Sequence, residues 1–242
     1  MREVRIDRPS LRTRILLYGA VPLVLVGGMA VAYYHGPDAL RRLVSPEHLA
    51  VHPDSQREFG LLESLQNAAL LALAVVAAIG VRRKRVLLPR VVLWGLLLAG
   101  AFVLLEETDY GMHYAELFRG EPVTDEQPGW HNLHRVTYMD GVLHNVAKFG
   151  MLTFFGGFAI VFAGSRNATL RHLAPDRMSV LTILLVTGVQ EWVWHLAETT
   201  PVTHGSLSGN GREIEFTELG MYGLALVYAV DLAFWRRAEE TA

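Results

Sequence analysis

The chain has 242 residues, 51% of them apolar and only 19% charged, with no cysteine and a formal net charge of −2. Its mean hydropathy is +0.26. This composition excludes a disordered chain and a disulfide-stabilised domain, and the net charge argues against nucleic-acid binding. Several uncharged runs reach roughly 20 residues, the length that crosses a hydrocarbon core about 30 Å thick. The sequence therefore predicts an all-α, polytopic membrane protein.

Six apolar stretches are predicted to form the transmembrane helices of a single domain, residues 1–242. They are residues 15–34, 59–81, 86–106, 141–163, 178–197 and 216–235. The first stretch also fits a signal peptide cleaved after residue 32, because it follows an arginine-rich start and ends in Ala30-Val31-Ala32. The pair Tyr33-Tyr34 favours a transmembrane helix, since aromatic residues anchor helices at the membrane interface.

Basic residues alternate between the two sides of the predicted bundle. The N-terminal segment, the connections at residues 82–90 and 166–177, and the C-terminal tail hold 15 of the 22 Lys and Arg residues. Short cytoplasmic loops are enriched in these residues, so both termini are predicted to be cytoplasmic. Loops 35–58, 107–140 and 198–215 then face the outside. The predicted location is the bacterial inner membrane, among membrane lipids, with a homo-oligomer or a membrane-complex partner left open.

Carboxylates and imidazoles gather on the outer side. Nine of the ten histidines lie in outer loops or outer halves of spans, and 14 of the 24 acidic residues lie in outer loops. Asp231, close to Arg236, is instead predicted to be a cytoplasmic interface residue. Ionisable residues at membrane depth cost about 2.5–3.5 kcal/mol each on insertion scales, so those in spans are candidate functional residues.

Helical spacing arranges these polar residues in stripes. The stripes are Glu63, Gln66 and Asn67 on the second span; Glu106, Asp109 and His113 on the third; Asp140, His144 and Lys148, with Asn145, on the fourth; Thr187, Glu191, Trp194, His195 and Glu198 on the fifth; and Glu215, Glu218 and Tyr222 on the sixth. They predict one polar cavity that opens to the outside, capped by loop 107–140. Alternatively, the polar side chains join the helices to one another by hydrogen bonds.

The ligand chemistry of the stripes favours a metal ion. Lys148 is their only cation, so protons or a bound metal must neutralise the carboxylates. Glutamate and histidine without thiolate suit Zn, Fe or Mn. The predicted metal ligands are Glu106, His134, His144 and His195; the predicted catalytic residues are Glu107 and Glu191; and the predicted cavity-lining residues are Glu63, Asn67, Asp109, His113, His131, Asn145, Lys148, Glu198 and Glu218. Haem b between His144 and His195 is disfavoured by the neighbouring carboxylates.

Two sequence resemblances centre on the doubled glutamate. Glu106-Glu107, Gly111 and Asn132-Leu133-His134 resemble a family of uncharacterised bacterial integral membrane proteins with an E-E-x-x-x-G … N-L-H signature. The likeness covers about 30 residues and implies a membrane protein without implying an activity. The glutamate pair is also similar to that of CAAX-type intramembrane proteases, but the arginine of their E-E-x-x-x-R motif and their later F-x-x-x-H motif are absent.

The function predicted from these features is a metal-dependent membrane enzyme, such as a hydrolase, that acts on a lipid or other amphiphile. In a hydrolase the metal would lower the pKa of a bound water toward about 7, and a glutamate would move the proton. Two alternatives stay open: a transporter or channel for protons or metal ions, and a non-catalytic subunit whose cavity binds a partner. The inner halves of the spans hold few polar residues, namely Arg90, Thr182 and Asp231, which favours a site open on one side.

Overall fold

A computed structural model of the protein describes residues 9–45, 60–111, 114, 118, 149–199 and 214–236. These residues form helices and no β-strand. Numbered along the chain, the helices are α1 (Leu11–His35), α2 (Asp38–Val44), α3 (Leu61–Arg83), α4 (Leu87–Glu107), α5 (Phe149–Phe162), α6 (Ala168–Leu173), α7 (Ser179–Thr199) and α8 (Glu215–Trp235). Among the described helices, α1, α3, α4, α7 and α8 are long and apolar enough to cross a membrane.

Within the described residues the structure confirms an all-helical fold, in which five helices are long and apolar enough to cross a membrane. The bounds of the five long helices lie within about four residues of the predicted ones. The remaining predicted span, residues 141–163, is described only from residue 149 onward. Its described part, α5, is about 21 Å long at 1.5 Å per residue, which is shorter than a hydrocarbon core of about 30 Å. Residues 141–148 lie outside the described part of the chain.

Several helices contain π-helical turns. They occur in α1 at Leu16–Ala20 and Leu23–Gly27, in α5 at Leu152–Phe158 and in α8 at Asp231–Trp235. In α1 the two π-helical stretches flank Pro22, which has no backbone N–H to donate to the preceding turn. In α8 the wider turn lets the Arg236 N–H donate to the Asp231 carbonyl oxygen at 3.1 Å, five residues back.

Helices α3 and α4 form an antiparallel hairpin whose register is set by glycines. A Cβ at Gly80 would come within 2.9 Å of the Leu93 side chain, and one at Gly100 within 3.2 Å of Leu73. The absence of a side chain at these positions allows the two helices to approach closely. Continued along the hairpin, this register places Asn67 level with Glu106, near the end of the bundle opposite the connection.

Helix α8 is the central helix of the described bundle. It is the most buried of the five long helices and contacts α1, α3 and α7. Phe216, in its first turn, packs on Tyr33 and Tyr34 of α1, with ring centroids 6.3 and 6.5 Å apart. Gly220 faces Val186 of α7. This position brings α8 side chains to two different polar surfaces.

Alternating helix directions separate basic from acidic side chains. Arg14 of α1 pairs with Asp176 ahead of α7, and Lys84 at the end of α3 donates to the Arg236 carbonyl oxygen after α8. We call this the basic end. The opposite end, where α3 and α8 begin and α4 finishes, holds Glu63, Glu106, Glu107, Glu215 and Glu218, and we call it the acidic end.

Candidate functional site

Side chains of α3, α4 and α8 meet at the acidic end. The Tyr222 hydroxyl donates to Glu107 Oε1 at 2.9 Å. Gln66 Nε2 donates to the Glu215 carbonyl oxygen at 2.8 Å and to its carboxylate at 3.3 Å. The Glu218 carboxylate is also close enough to act electrostatically on the Tyr222 hydroxyl. Glu107, Glu215 and Glu218 therefore all act on the Tyr222 hydroxyl, and we call these four residues together with Gln66 the acidic cluster.

Glu106 lies beside the acidic cluster, at the end of α4. Its side chain is buried and accepts a hydrogen bond from the Tyr110 hydroxyl. Tyr110 can reach back because its backbone is left-handed, with φ 54°, and Gly111 follows with φ 87°. A left-handed conformation at a bulky residue is strained and is found mainly where the surrounding structure imposes it. The chain thus leaves α4 in a sharp turn that covers Glu106.

Two buried amide oxygens of α3 at the acidic end are unsatisfied within the described part of the chain. Gln66 is fully buried, yet its Oε1 has no hydrogen-bond partner there, and neither has Asn67 Oδ1. Glu63, one turn earlier on α3, is also buried. An unsatisfied buried acceptor costs about 1–3 kcal/mol. Such an acceptor-rich site suits a ligand that brings positive charge or hydrogen-bond donors.

The polar stripe of α7 faces a different surface. Glu191, Trp194, His195 and Glu198 are exposed, whereas the packed face of α7 carries apolar residues such as Val186. Helix α7 contacts α1, α5 and α8, so α8 lies between this stripe and the acidic cluster. Among the described residues, Glu191 lines a groove that neither Glu106 nor Glu107 lines, so the structure does not bring the two predicted pairs together there.

A groove of about 150 Å³ lies between α5, α7 and α8. Its walls are aliphatic over most of their length, and its polar residues are Thr182, Thr187, Gln190, Glu191 and Thr217. Thr217 is buried, and its Oγ1 has no hydrogen-bond partner within the described residues. Glu191 lies at the exposed mouth. The groove, which we call the α5–α7–α8 groove, was not predicted from the sequence, since it depends on which helices are neighbours.

Several predicted site residues lie outside the described part of the chain. They are His113, His131, His134, His144, Asn145 and Lys148. Asp109 begins a short 3₁₀ turn, Asp109–Gly111, but its side chain is not described. The cap predicted at residues 107–140 is described only at residues 107–111, 114 and 118. Within the description, no three His, Asp or Glu side chains are grouped closely enough to hold a metal. The metal site therefore stays a prediction.

Comparison with protein-family models, curated proteins and solved structures found no match to this chain.

The basic end holds a buried polar group whose depth the sequence did not reveal. Arg236 is fully buried and pairs with Asp231, its Nε lying 2.9 Å from Asp231 Oδ2. Its Nη1 donates to the carbonyl oxygens of His172 and Ala174, the latter at 2.6 Å. Asp231 was predicted to be an interface residue, but it is only 4% exposed. The five-residue spacing to Arg236, which matches one π-helical turn, is the only sequence signal for this pair.

His172 packs within this group and is held neutral. Its side chain is buried, and neither ring nitrogen has a hydrogen-bond partner among the described residues. Burial, followed by the nearby positive charges of Arg236 and Lys84, lowers the pKa of His172 from 6.5 to about 4. Burial and both cations oppose the charged imidazolium.

The pH dependence of stability follows from this shift. Between about pH 6.5 and 4 the unfolded chain binds a proton at His172 that the folded protein does not, so stability falls as the pH drops through that window. We expect His172→Phe to flatten this part of the curve, measured as the unfolding midpoint in detergent against pH. His35→Phe, at an exposed position on α1, is the matched control. Equal slopes in the parent and His172→Phe proteins would contradict the assignment.

Proposed function

We propose that the acidic end is the metal-assisted site of a membrane enzyme, a hydrolase or a related activity, that acts on a lipid or other amphiphile. The observation that carries this proposal is the meeting of Glu106, Glu107 and the acidic cluster at one end of the bundle. Glu106 would bind the metal together with His134 and His144, and Glu107 would act as the general acid-base group. Glu191 would belong to the substrate side, at the α5–α7–α8 groove, with His195 one turn further along α7.

The chemistry of the acidic end supports this assignment of roles. A divalent metal would supply a Lewis acid that polarises a carbonyl or phosphoryl oxygen of the substrate. Glu107 is half-buried and already accepts a hydrogen bond from Tyr222, which orients its carboxylate. A positioned carboxylate with a fixed hydrogen-bond partner suits proton transfer. The oxygen-rich surroundings also favour a hard or borderline cation.

The middle of the bundle supports a site that is open on one side. Between the two polar ends, the described core consists of aliphatic and aromatic side chains such as Leu73, Leu93 and Leu224. A small cavity of about 50 Å³ between α1, α7 and α8 has apolar walls except for Thr182. A pathway for ions needs polar groups across the membrane. Metal-ion or proton flux through proteoliposomes would therefore overturn the enzyme proposal in favour of a transporter.

Metal content tests the proposed site directly. Protein purified in detergent without chelators is expected to carry on the order of one Zn, Fe or Mn per chain, measured by elemental analysis. Glu106→Gln should lose most of this metal, because the amide removes the ligand charge while keeping the side-chain shape. Asp38→Asn, which neutralises an exposed carboxylate of α2, should keep it. Metal-free parent protein would remove the metal proposal, and full retention in Glu106→Gln would remove Glu106 as a ligand.

The orientation of the bundle is part of the proposal. We infer that the basic end faces the cytoplasm and the acidic end the exterior of a bacterial inner membrane. The support is the clustering of Arg14, Lys84 and Arg236 at one end, as expected where Lys and Arg are retained in the cytoplasm. The proposed site would then meet substrates from the outer leaflet or the periplasm.

Single-cysteine labelling tests the orientation, because the chain has no cysteine of its own. Asp38→Cys, at the acidic end, should react with a membrane-impermeant maleimide in intact spheroplasts. Arg85→Cys and Arg166→Cys, at exposed positions of the basic end, should react only after the membrane is disrupted. The reverse pattern would invert the orientation, and labelling of all three in intact spheroplasts would exclude a bundle that crosses the membrane in this way.

A further inference from the structure

The α5–α7–α8 groove has the shape of a site for one hydrocarbon chain. Along α7 it extends from Thr182 to Glu191, which is about 14 Å at 1.5 Å per residue. Its walls are formed mainly by methionine and branched aliphatic side chains, including Met151, Ile183 and Leu224. The groove thus runs along the helices, from near the basic end toward the acidic end.

The volume of the groove restricts the size of its occupant. It measures about 150 Å³. An apolar protein cavity of about this volume binds a molecule of about the size of benzene. This is room for a short length of a single alkyl chain, and it is too little for the paired chains of a diacyl lipid. Because the groove is open along one side, the rest of a single chain can lie in the surrounding membrane.

The polar residues of the groove nearest the acidic end determine which kind of head group it can bind. Glu191 is the only ionisable residue in the described lining. It lies near the middle of α7, and no ion pair with it is found among the described residues, His195 on the next turn included. A carboxylate at that depth is costly without a positive partner. A phosphate or carboxylate head would be repelled, whereas a protonated amine would be attracted.

Thr217 gives an independent sign of a ligand. Its side chain is buried on α8, across the groove from Glu191 on α7, and its Oγ1 has no hydrogen-bond partner within the described residues. Buried hydroxyl groups are normally satisfied. An ammonium group has three donors and no acceptor, so it could donate to the Thr217 hydroxyl and to the Glu191 carboxylate together.

We propose that the α5–α7–α8 groove binds a single-chain amphiphile with a protonated amine head group, its alkyl chain along α7 and its ammonium between Glu191 and Thr217. This assignment rests on the proposal that the acidic end acts on a membrane amphiphile, and it names the class of that amphiphile. The amine is recognised by the charge of Glu191 and by a hydrogen bond to Thr217. The width of the groove restricts the ligand to a single alkyl chain.

Photo-crosslinking of the purified full-length chain tests the assignment. The probe is dodecylamine with a photoreactive diazirine in its chain, and crosslinked peptides are mapped by mass spectrometry. Crosslinks should map to α5, α7 and α8, and unlabelled dodecylamine should reduce their yield by competing with the probe. Dodecanol and dodecyl phosphate should be weaker competitors by roughly tenfold or more. Crosslinks elsewhere, or equal competition by dodecyl phosphate, would overturn the proposal.

Variants distinguish binding of the probe in the groove from its nonspecific partitioning into detergent. Glu191→Gln and the isosteric Thr217→Val should each weaken the competition by dodecylamine about tenfold, because each removes one partner of the ammonium. Leu152→Trp should block the groove, whereas Leu184→Trp, on the exposed face of α7 outside the lining, should not. Competition that is unchanged in both polar variants would overturn the head-group assignment.

The same measurement distinguishes this inference from the metal proposal. Crosslinking is repeated on chelator-treated protein and on Glu106→Gln. Site-specific labelling in protein that never contains metal would sustain the amine site while the metal-assisted enzyme fails. Stoichiometric metal without site-specific labelling would sustain the metal-assisted enzyme and overturn the amine site.

Discussion

Replacing Arg236 with methionine is expected to destabilise the folded bundle by about 3–5 kcal/mol, the range for removing one partner of a buried ion pair. Arg236 is fully buried, pairs with Asp231 and donates to the carbonyl oxygens of His172 and Ala174. Its guanidinium thus joins the end of α8 to the C-terminal end of α6. The substitution would leave a buried carboxylate without its counter-charge and two carbonyl groups without a donor. SDS-induced unfolding in mixed micelles measures the loss.

Two comparisons make this prediction specific. Arg82→Met, at an exposed position one residue before the end of α3, should change stability by less than about 0.5 kcal/mol. The double variant Asp231→Leu with Arg236→Met should recover much of the loss, because apolar replacements of both partners avoid the uncompensated charge. If the double variant is less stable than Arg236→Met alone, the ion pair is not the source of the effect.

The basic end also shows what sequence patterning can and cannot predict. The concentration of Lys and Arg in alternate segments correctly predicted that those segments lie at the same end, as the Arg14–Asp176 contact shows. It could not predict that Arg236 is buried, because a basic residue just after an apolar helix is normally solvated. Burial here depends on the carbonyl groups at the C-terminal end of α6, far away in the sequence.

The acidic end illustrates the same limit at the candidate site. Helical spacing puts Glu215, Glu218 and Tyr222 on one face of α8, since positions three and four apart share a face, and both carboxylates act electrostatically on the Tyr222 hydroxyl. The same rule grouped Glu191 with His195 on α7, and both are on its exposed face. Periodicity identifies a stripe but not the helix that it faces. That choice is made by side-chain packing between helices, where residues such as Gly220 allow close contact.

Gly220→Ala is expected to destabilise the protein by about 1–3 kcal/mol, the usual cost of overpacking a tight interface. A Cβ at Gly220 would overlap the Val186 Cγ2 atom on α7. Val186 is buried and β-branched, so its side chain has few alternative rotamers in a helix. The helices would have to separate, which would also widen the α5–α7–α8 groove that both residues line. The unfolding midpoint and dodecylamine competition should therefore change together.

A neighbouring glycine supplies the matched control. A Cβ at Gly223, one turn further along α8, would meet no other atom within 4 Å. Gly223→Ala should therefore be neutral or slightly stabilising, because alanine favours helix by up to about 1 kcal/mol over glycine. Adding Val186→Ala to Gly220→Ala should recover stability by removing the overlapping methyl groups. If Gly220→Ala is as stable as Gly223→Ala, then α7 and α8 do not pack as closely at this point as described. The α5–α7–α8 groove would then lose the wall that confines it to one hydrocarbon chain.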